Sequence, residues 1–227
     1  MRSPAGPRLI VTLDGPAGAG KSTVARLLAT RLHYLYLDTG ALYRAVAWKV
    51  QAAGVDPSDA AAVAGLLAST RVTMEYSPER PLVFVDGRDV TEVIRTPEIS
   101  RLASVVSAIP AVREWLLPVQ REIGASGGVV AEGRDLGTRI FPQAQVKFFL
   151  EADVAVRAAR RHRDLAAAGH ASGLEETREA IEQRDRQDRS RELAPLVPAP
   201  DAIRVNTSAL SVDQVVEKLL ADIATKL

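Results

Sequence analysis

The stretch Leu13–Leu28, LDGPAGAGKSTVARLL, meets the pattern G-x-x-x-x-G-K-[ST] at each defined place, with Gly15, Gly20, Lys21 and Ser22. Glycines let the backbone turn tightly enough for successive N–H groups to point at one anion, and the lysine adds a full positive charge. Gly15, Pro16, Ala17, Gly18, Ala19, Gly20, Lys21, Ser22 and Thr23 are therefore expected to cradle the phosphates of a nucleotide, with Ser22 ligating its Mg²⁺. Hydrolases, switches, motors and kinases share such a loop, so the fate of the terminal phosphate must be read from the rest of the chain.

Three further stretches carry residues suited to phosphate chemistry. LDTGALYR places Asp38, Thr39 and Arg44 at the carboxyl end of a short strand, where ligands bind in open α/β sheets; helix capping by Asp38 or Thr39 is the plainer reading and is compatible with binding. VVAEGRDLGTR puts Glu132 after a buried strand, suited to a metal or its water, and Arg134 and Asp135 on a tight turn; an acid at a strand end is also an ordinary turn residue. Arg157, Arg160 and Arg161 share one helical face, and Arg184, Asp188 and Arg191 form a second stripe. A solvated face laced by Arg–Asp pairs would explain the second stripe. Two arginine stripes in a phosphate-binding chain favour a lid that excludes water and neutralises a migrating phosphoryl group.

These residues need a frame. RLIVTLDG reads as a buried central strand, and Val24, Leu27, Leu28 and Leu32 follow at helical spacing, so strand, glycine loop and helix stand in the required order. YLYLDTG, GGVVAEGRD, QVKFFLEA and DAIRVNTS supply four more strands, alternating with helices such as ALYRAVAWKVQAAG, which Gly54 ends. The pattern is that of a doubly wound, five-stranded parallel α/β sheet. The last helix carries Val212, Val215, Val216, Leu219, Leu220 and Ile223 on one stripe, with a capping box of Ser211 and Gln214 before it. Within an insert at 56–109, RVTMEY and LVFVDGRDV alternate like exposed antiparallel strands joined by a turn at SPERP. An Arg-rich helical region spans 153–192, leaving 8–55, 110–152 and 196–227 as the core. Pro118 is expected to kink or break the helix at 110–124 because it lacks a backbone donor.

At 227 residues the chain suits one globular unit with inserted subdomains. A net charge of +1 and aromatic content of 4% argue against nucleic-acid binding, which needs a basic surface and stacking platforms. Twenty-four of the 29 basic residues are Arg, a bias that a GC-rich genome would also produce. Without cysteine there are no disulfides or thiolate metal sites, and no apolar run is long enough to span a membrane. The apolar run LIVTL is too short for a signal peptide, so a cytoplasmic enzyme is expected.

DGPAGAGKST, LDTGALYR, IRTPEIS, ASVVSAIPAVRE, EGRDLGT, RDRQDRSR and APLVPAPDAI, in that order, make the chain resemble bacterial cytidylate kinases of the nucleoside monophosphate (NMP) kinase superfamily over nearly its whole length. The resemblance implies transfer of the γ-phosphoryl group of ATP, with Mg²⁺, to CMP or dCMP. It makes 56–109 an NMP-binding insert and 153–192 a helical lid. Thr39, Arg44, Arg134 and Arg191 would hold the acceptor phosphate, and Thr39 stands where many relatives carry Ser. Ser104, Arg113 and Asp135 would read the cytosine edge, with the acid accepting from the exocyclic amine; uracil would face it with a carbonyl. Arg184 and Asp188 would contact the ribose. Lys21, Arg134 and the lid arginines Arg157, Arg160 and Arg161 would carry catalysis, and Ser22 and Glu132 the metal. A monomer without nucleic-acid or membrane partners is expected. Phosphorylation of UMP or AMP, or a nucleotide-gated switch, stands as the alternative.

Overall fold

The computed structural model describes residues 8–76, 81–170 and 172–226. Along the chain run β1 (Ile10–Asp14), α1 (Lys21–Leu32), β2 (Leu35–Asp38), α2 (Thr39–Ala52), α3 (Ala60–Leu67), β3 (Val72–Glu75), β4 (Leu82–Val85) and β5 (Arg88–Asp89). There follow α4 (Pro97–Val106), α5 (Pro110–Gly124), β6 (Val129–Glu132), β7 (Val146–Glu151), α6 (Val154–Ala167), α7 (Leu174–Ser190), β8 (Ile203–Asn206) and α8 (Val212–Ala224). The turn SPERP falls largely outside the described residues. Two compact units result, one of residues 1–35 with 126–227 and one of residues 36–125.

The expected five-stranded parallel sheet is present, in the order β2-β6-β1-β7-β8, and the division between units falls within β2. β1 lies between β6 and β7 with Leu13 opposite both Glu132 and Phe148, so the carboxyl ends that carry Asp14 and Glu132 come to the same edge. Continuous apolar strands are buried on both faces: Val11, Leu13, Val129, Val130, Phe148 and Leu150 are all inaccessible or nearly so. The stripes of α1 and α8 are narrower than their spacing suggests. Val24 and Leu28 are buried while Leu27 is exposed and Leu32 only half-buried; on α8, Val212 is exposed and Leu220 half-buried. The α1 face is narrow because small Ala25 and Ala29 fill the rest of the contact. The Ser211–Gln214 capping box forms as expected.

The second unit has its own apolar cluster, which includes Leu42, Val46, Val85, Ile94, Val106 and Leu116. It is wider than the insert expected at 56–109, because the buried faces of α2 and α5 belong to this cluster. β3, β4 and β5 form its antiparallel sheet, with Val72 opposite Val85. α4 and α5 diverge by 104°. Of the kink or break expected at Pro118, the break does not occur: α5 continues through it. Pro118 is exposed, so the carbonyl it leaves without a helical donor lies towards water, while Val112, Leu116 and Gln120 anchor the opposite face.

Restoring that donor should help. Pro118→Ala is expected to raise stability by about 1–3 kcal/mol in urea denaturation, since proline in a helix interior is the poorest helix former and this site is solvent-facing.

Candidate active site

In the first unit, β1 delivers the chain directly into the glycine loop. Gly15 has φ +144°, and a Cβ there would lie 2.1 Å from the Leu150 carbonyl oxygen, so the loop hugs the end of β7 as only glycine permits. α1 then starts at Lys21 with no side-chain cap, leaving its first-turn N–H groups to an anion. Lys21 is buried, and its Nζ donates to the Pro16 carbonyl at 2.7 Å. Burial, then the charge of Arg134, push its pKa down to about 7, with Glu132 opposing and Arg184 reinforcing. Ser22 Oγ donates to Glu132 Oε2 at 2.8 Å, uniting the two residues expected to hold a metal.

The turn after β6 carries Arg134 and Asp135. Arg134 Nε donates to Asp188 Oδ2 at 3.1 Å, Arg191 pairs with Asp188 Oδ1, and Arg184 Nε lies 4.0 Å from Oδ2. Asp188 is only 1% exposed. Burial by itself would raise its pKa, but the charges of Arg134, Arg191 and Arg184 together hold its carboxyl below the usual range. The stripe expected on α7 is therefore an acid fixing arginines from two elements.

The arginines expected to form a lid are engaged differently from a free polyphosphate clamp. Arg157 is buried; its guanidinium donates to the carbonyls of Ala152 at 2.9 Å and Ala17 at 3.1 Å and pairs with Asp185 at 2.7 Å. Arg160 donates to the Thr207 carbonyl at 2.7 Å. Arg161 is half-buried beside them on α6.

Within the second unit, Asp38 caps α2 by accepting the Ala41 N–H at 3.0 Å, and its other oxygen holds Arg44 at 2.8 Å. Gly40 makes room: a Cβ there would come within 3.1 Å of both Arg44 Nη1 and Asp38 Oδ1. Thr39 is buried in the same first turn. At the bend between α4 and α5, Arg113 Nη1 donates to the Ser107 carbonyl at 3.2 Å and its guanidinium sits 5.3 Å from the Tyr43 ring centroid. Ser107 Oγ donates to the Ser104 carbonyl, bringing Ser104 and Arg113 to one corner.

Two partners escaped the sequence reading. Asp185 neutralises Arg157, and Asp14 accepts the N–H groups of Leu136 at 2.9 Å and Gly137 at 2.8 Å. Burial, with the charge of Asp135 adding to it, pushes the Asp14 carboxyl up to about 6 against the pull of those N–H groups and of Lys21. An acid at the carboxyl end of a buried strand was the available signal for Asp14; Asp185 sits in a run so charged that no single acid stands out.

Asp188→Asn is expected to cost about 3 kcal/mol in chemical denaturation at pH 7, because it strips the counter-charge from three arginines. Asp188 has a lowered folded-state pKa, so its contribution is complete above its unfolded value of 3.8 and disappears as pH falls through the lower folded value. The gap between wild type and variant should therefore close only below about pH 4.

The cytidylate kinase family model matches residues 11–225. A cytidylate kinase of Geobacillus kaustophilus is 47% identical over 213 residues, covering 94% of this chain and 95% of its own. The bifunctional pantoate ligase/cytidylate kinase of Synechococcus sp. (strain JA-3-3Ab) is 48% identical over 218 residues, covering 95% of this chain and 40% of the relative. An uncharacterized protein from Eubacterium ventriosum has the same fold, with TM-score 0.52 and 10% identity over 96% of this chain and 99% of its own. A match of this extent, over a chain that carries the phosphate loop, the arginine-bound Asp188 and the Asp38–Arg44 pair, establishes membership of the cytidylate kinase family.

Proposed function

We propose that the chain transfers the γ-phosphoryl group of ATP to CMP or dCMP, giving ADP and CDP or dCDP. The observation that carries this reading is the gathering of Arg134, Arg184 and Arg191 around buried Asp188, with Arg134 and Arg184 near enough for their charges to reach Lys21 of the glycine loop, a field that polyphosphate neutralises. The glycine loop and the N-terminus of α1 take the donor phosphates. Thr39, Arg44, Arg134 and Arg191 take the acceptor phosphate, Arg184 and Asp188 the ribose, and Ser104, Arg113 and Asp135 the cytosine edge. Arg113 and Ser104 donate to ring acceptors while Asp135 accepts from the amine, a pattern that uracil does not match.

The acceptor phosphate is already an anion, so transfer needs alignment and charge stabilisation rather than a strong base. Lys21, Arg134 and the lid arginines Arg157, Arg160 and Arg161 supply the charge, with Arg157 also bracing the loop through Ala17. The hard oxygens of Ser22 and Glu132, already 2.8 Å apart, fit Mg²⁺. When bound, that ion neutralises phosphate charge and orients the donor. The 153–192 region acts as a lid over ATP and 56–109 as the acceptor-binding insert. The protein works as a cytoplasmic monomer, without nucleic-acid or membrane partners. Among the described residues, no single helix is long and apolar enough to cross a membrane.

An acceptor panel tests the reading: with ATP and Mg²⁺, ADP formation should be stimulated most by CMP and dCMP. A stronger response to UMP or AMP would overturn the acceptor assignment, and no stimulation by any acceptor would favour a slow hydrolytic switch. Arg113→Met should raise the KM for CMP by about ten-fold or more while leaving ATP affinity, measured by titration, within about two-fold. Equal loss of both would refute its role as an acceptor reader.

A further inference from the structure

We propose that Asp14 positions the turn that presents Arg134 and Asp135, and so sets acceptor affinity and the preference for cytosine over uracil. This rests on the reading of Arg134 and Asp135 as acceptor contacts. Asp14 is the last residue of β1, immediately before the glycine loop, and is 4% exposed. Its two oxygens are both committed, Oδ1 to the Leu136 N–H at 2.9 Å and Oδ2 to the Gly137 N–H at 2.8 Å.

Those two N–H groups open a single widened turn over Leu136–Ile140, directly after Asp135. The turn's internal bonds run from the N–H groups of Arg139 and Ile140 to the Asp135 carbonyl and from that of Phe141 to Leu136. The first N–H groups of any helical turn lack acceptors within it, and here the Asp14 carboxylate supplies them. The start of the turn is thus tied to β1, while Gly137 packs against β7: a Cβ there would meet Lys147 Cδ at 3.1 Å. Arg134, just before the turn, is held from the other side by Asp188. Fixed at both ends, the Arg134–Asp135 segment has little freedom, which a recognition site needs because misplacement by fractions of an ångström loosens it.

A charged acid is a costly choice in so buried a place, since burial opposes ionisation. Two converging donors account for it. An amide in its place would offer one oxygen to one N–H and turn an NH₂ towards the other, opposing donor to donor. The turn must then shift, and Asp135 with it.

The test is steady-state kinetics of Asp14→Asn with CMP, UMP and ATP varied in turn, alongside thermal denaturation. The expected result is a KM for CMP raised about ten-fold, a CMP-to-UMP ratio of kcat/KM lowered about ten-fold, and a KM for ATP within about two-fold of wild type. Asp14→Ser, which keeps one acceptor without adding an opposed NH₂, serves if the Asn variant does not fold, with the same expected direction. A folded variant with unchanged CMP KM and unchanged CMP-to-UMP ratio overturns the proposal, as does equal loss towards ATP and CMP. Failure of the wild type itself to phosphorylate CMP would instead overturn the activity on which the proposal rests.

Discussion

A site that binds polyphosphate must assemble positive charge before its ligand arrives, and the repulsion this creates is the constraint around which the first unit is organised. Burial, and then the charges of Arg134 and Arg184, push the Lys21 pKa down to about 7. The acids are distributed accordingly: Glu132 beside Lys21 and Ser22, Asp188 among Arg134, Arg184 and Arg191, and Asp185 against Arg157. Each pairs with or faces cations that would otherwise repel one another. The cost is buried charge, which stabilises little by itself but becomes strongly destabilising if one partner is removed.

The same economy of residues governs the second unit. Asp38 caps α2 with one oxygen and holds Arg44 with the other, so the helix terminus and the arginine proposed to take the acceptor phosphate share an anchor. Tyr43, one position from Arg44, lies beneath the guanidinium of Arg113, which the Ser107 carbonyl holds at the α4–α5 bend. Helix starts thereby gather polar side chains, because their backbone groups demand partners that side chains can supply.

Much of this was legible in the chain. The glycine loop, the strand before it and the helix after it follow from local residue types, and the Ser211–Gln214 cap forms as its spacing requires. The unit boundary was not legible: α2 and α5 carry apolar stripes that would suit either neighbour, and only the shared cluster of Leu42, Val46 and Leu116 shows which they join. That the helix does not break at Pro118 rests on a tertiary property, the exposure that turns the carbonyl without a helical donor towards water while the opposite face packs. The arginine stripe at 157–161 correctly marked a shared face but said nothing of Ala17, Asp185 and Thr207, all distant in sequence.

By itself, then, the sequence determined what is local: the phosphate-binding backbone, the order of strands and helices, the caps, and a set of motifs that identify the family. Tertiary structure alone decided the pairing of charges, because an arginine is a ligand contact, a brace or a counter-ion according to which acid or carbonyl the fold sets within about 3 Å of it. It also gave Asp14 its partners, 122 and 123 residues away along the chain, which no local pattern could reveal.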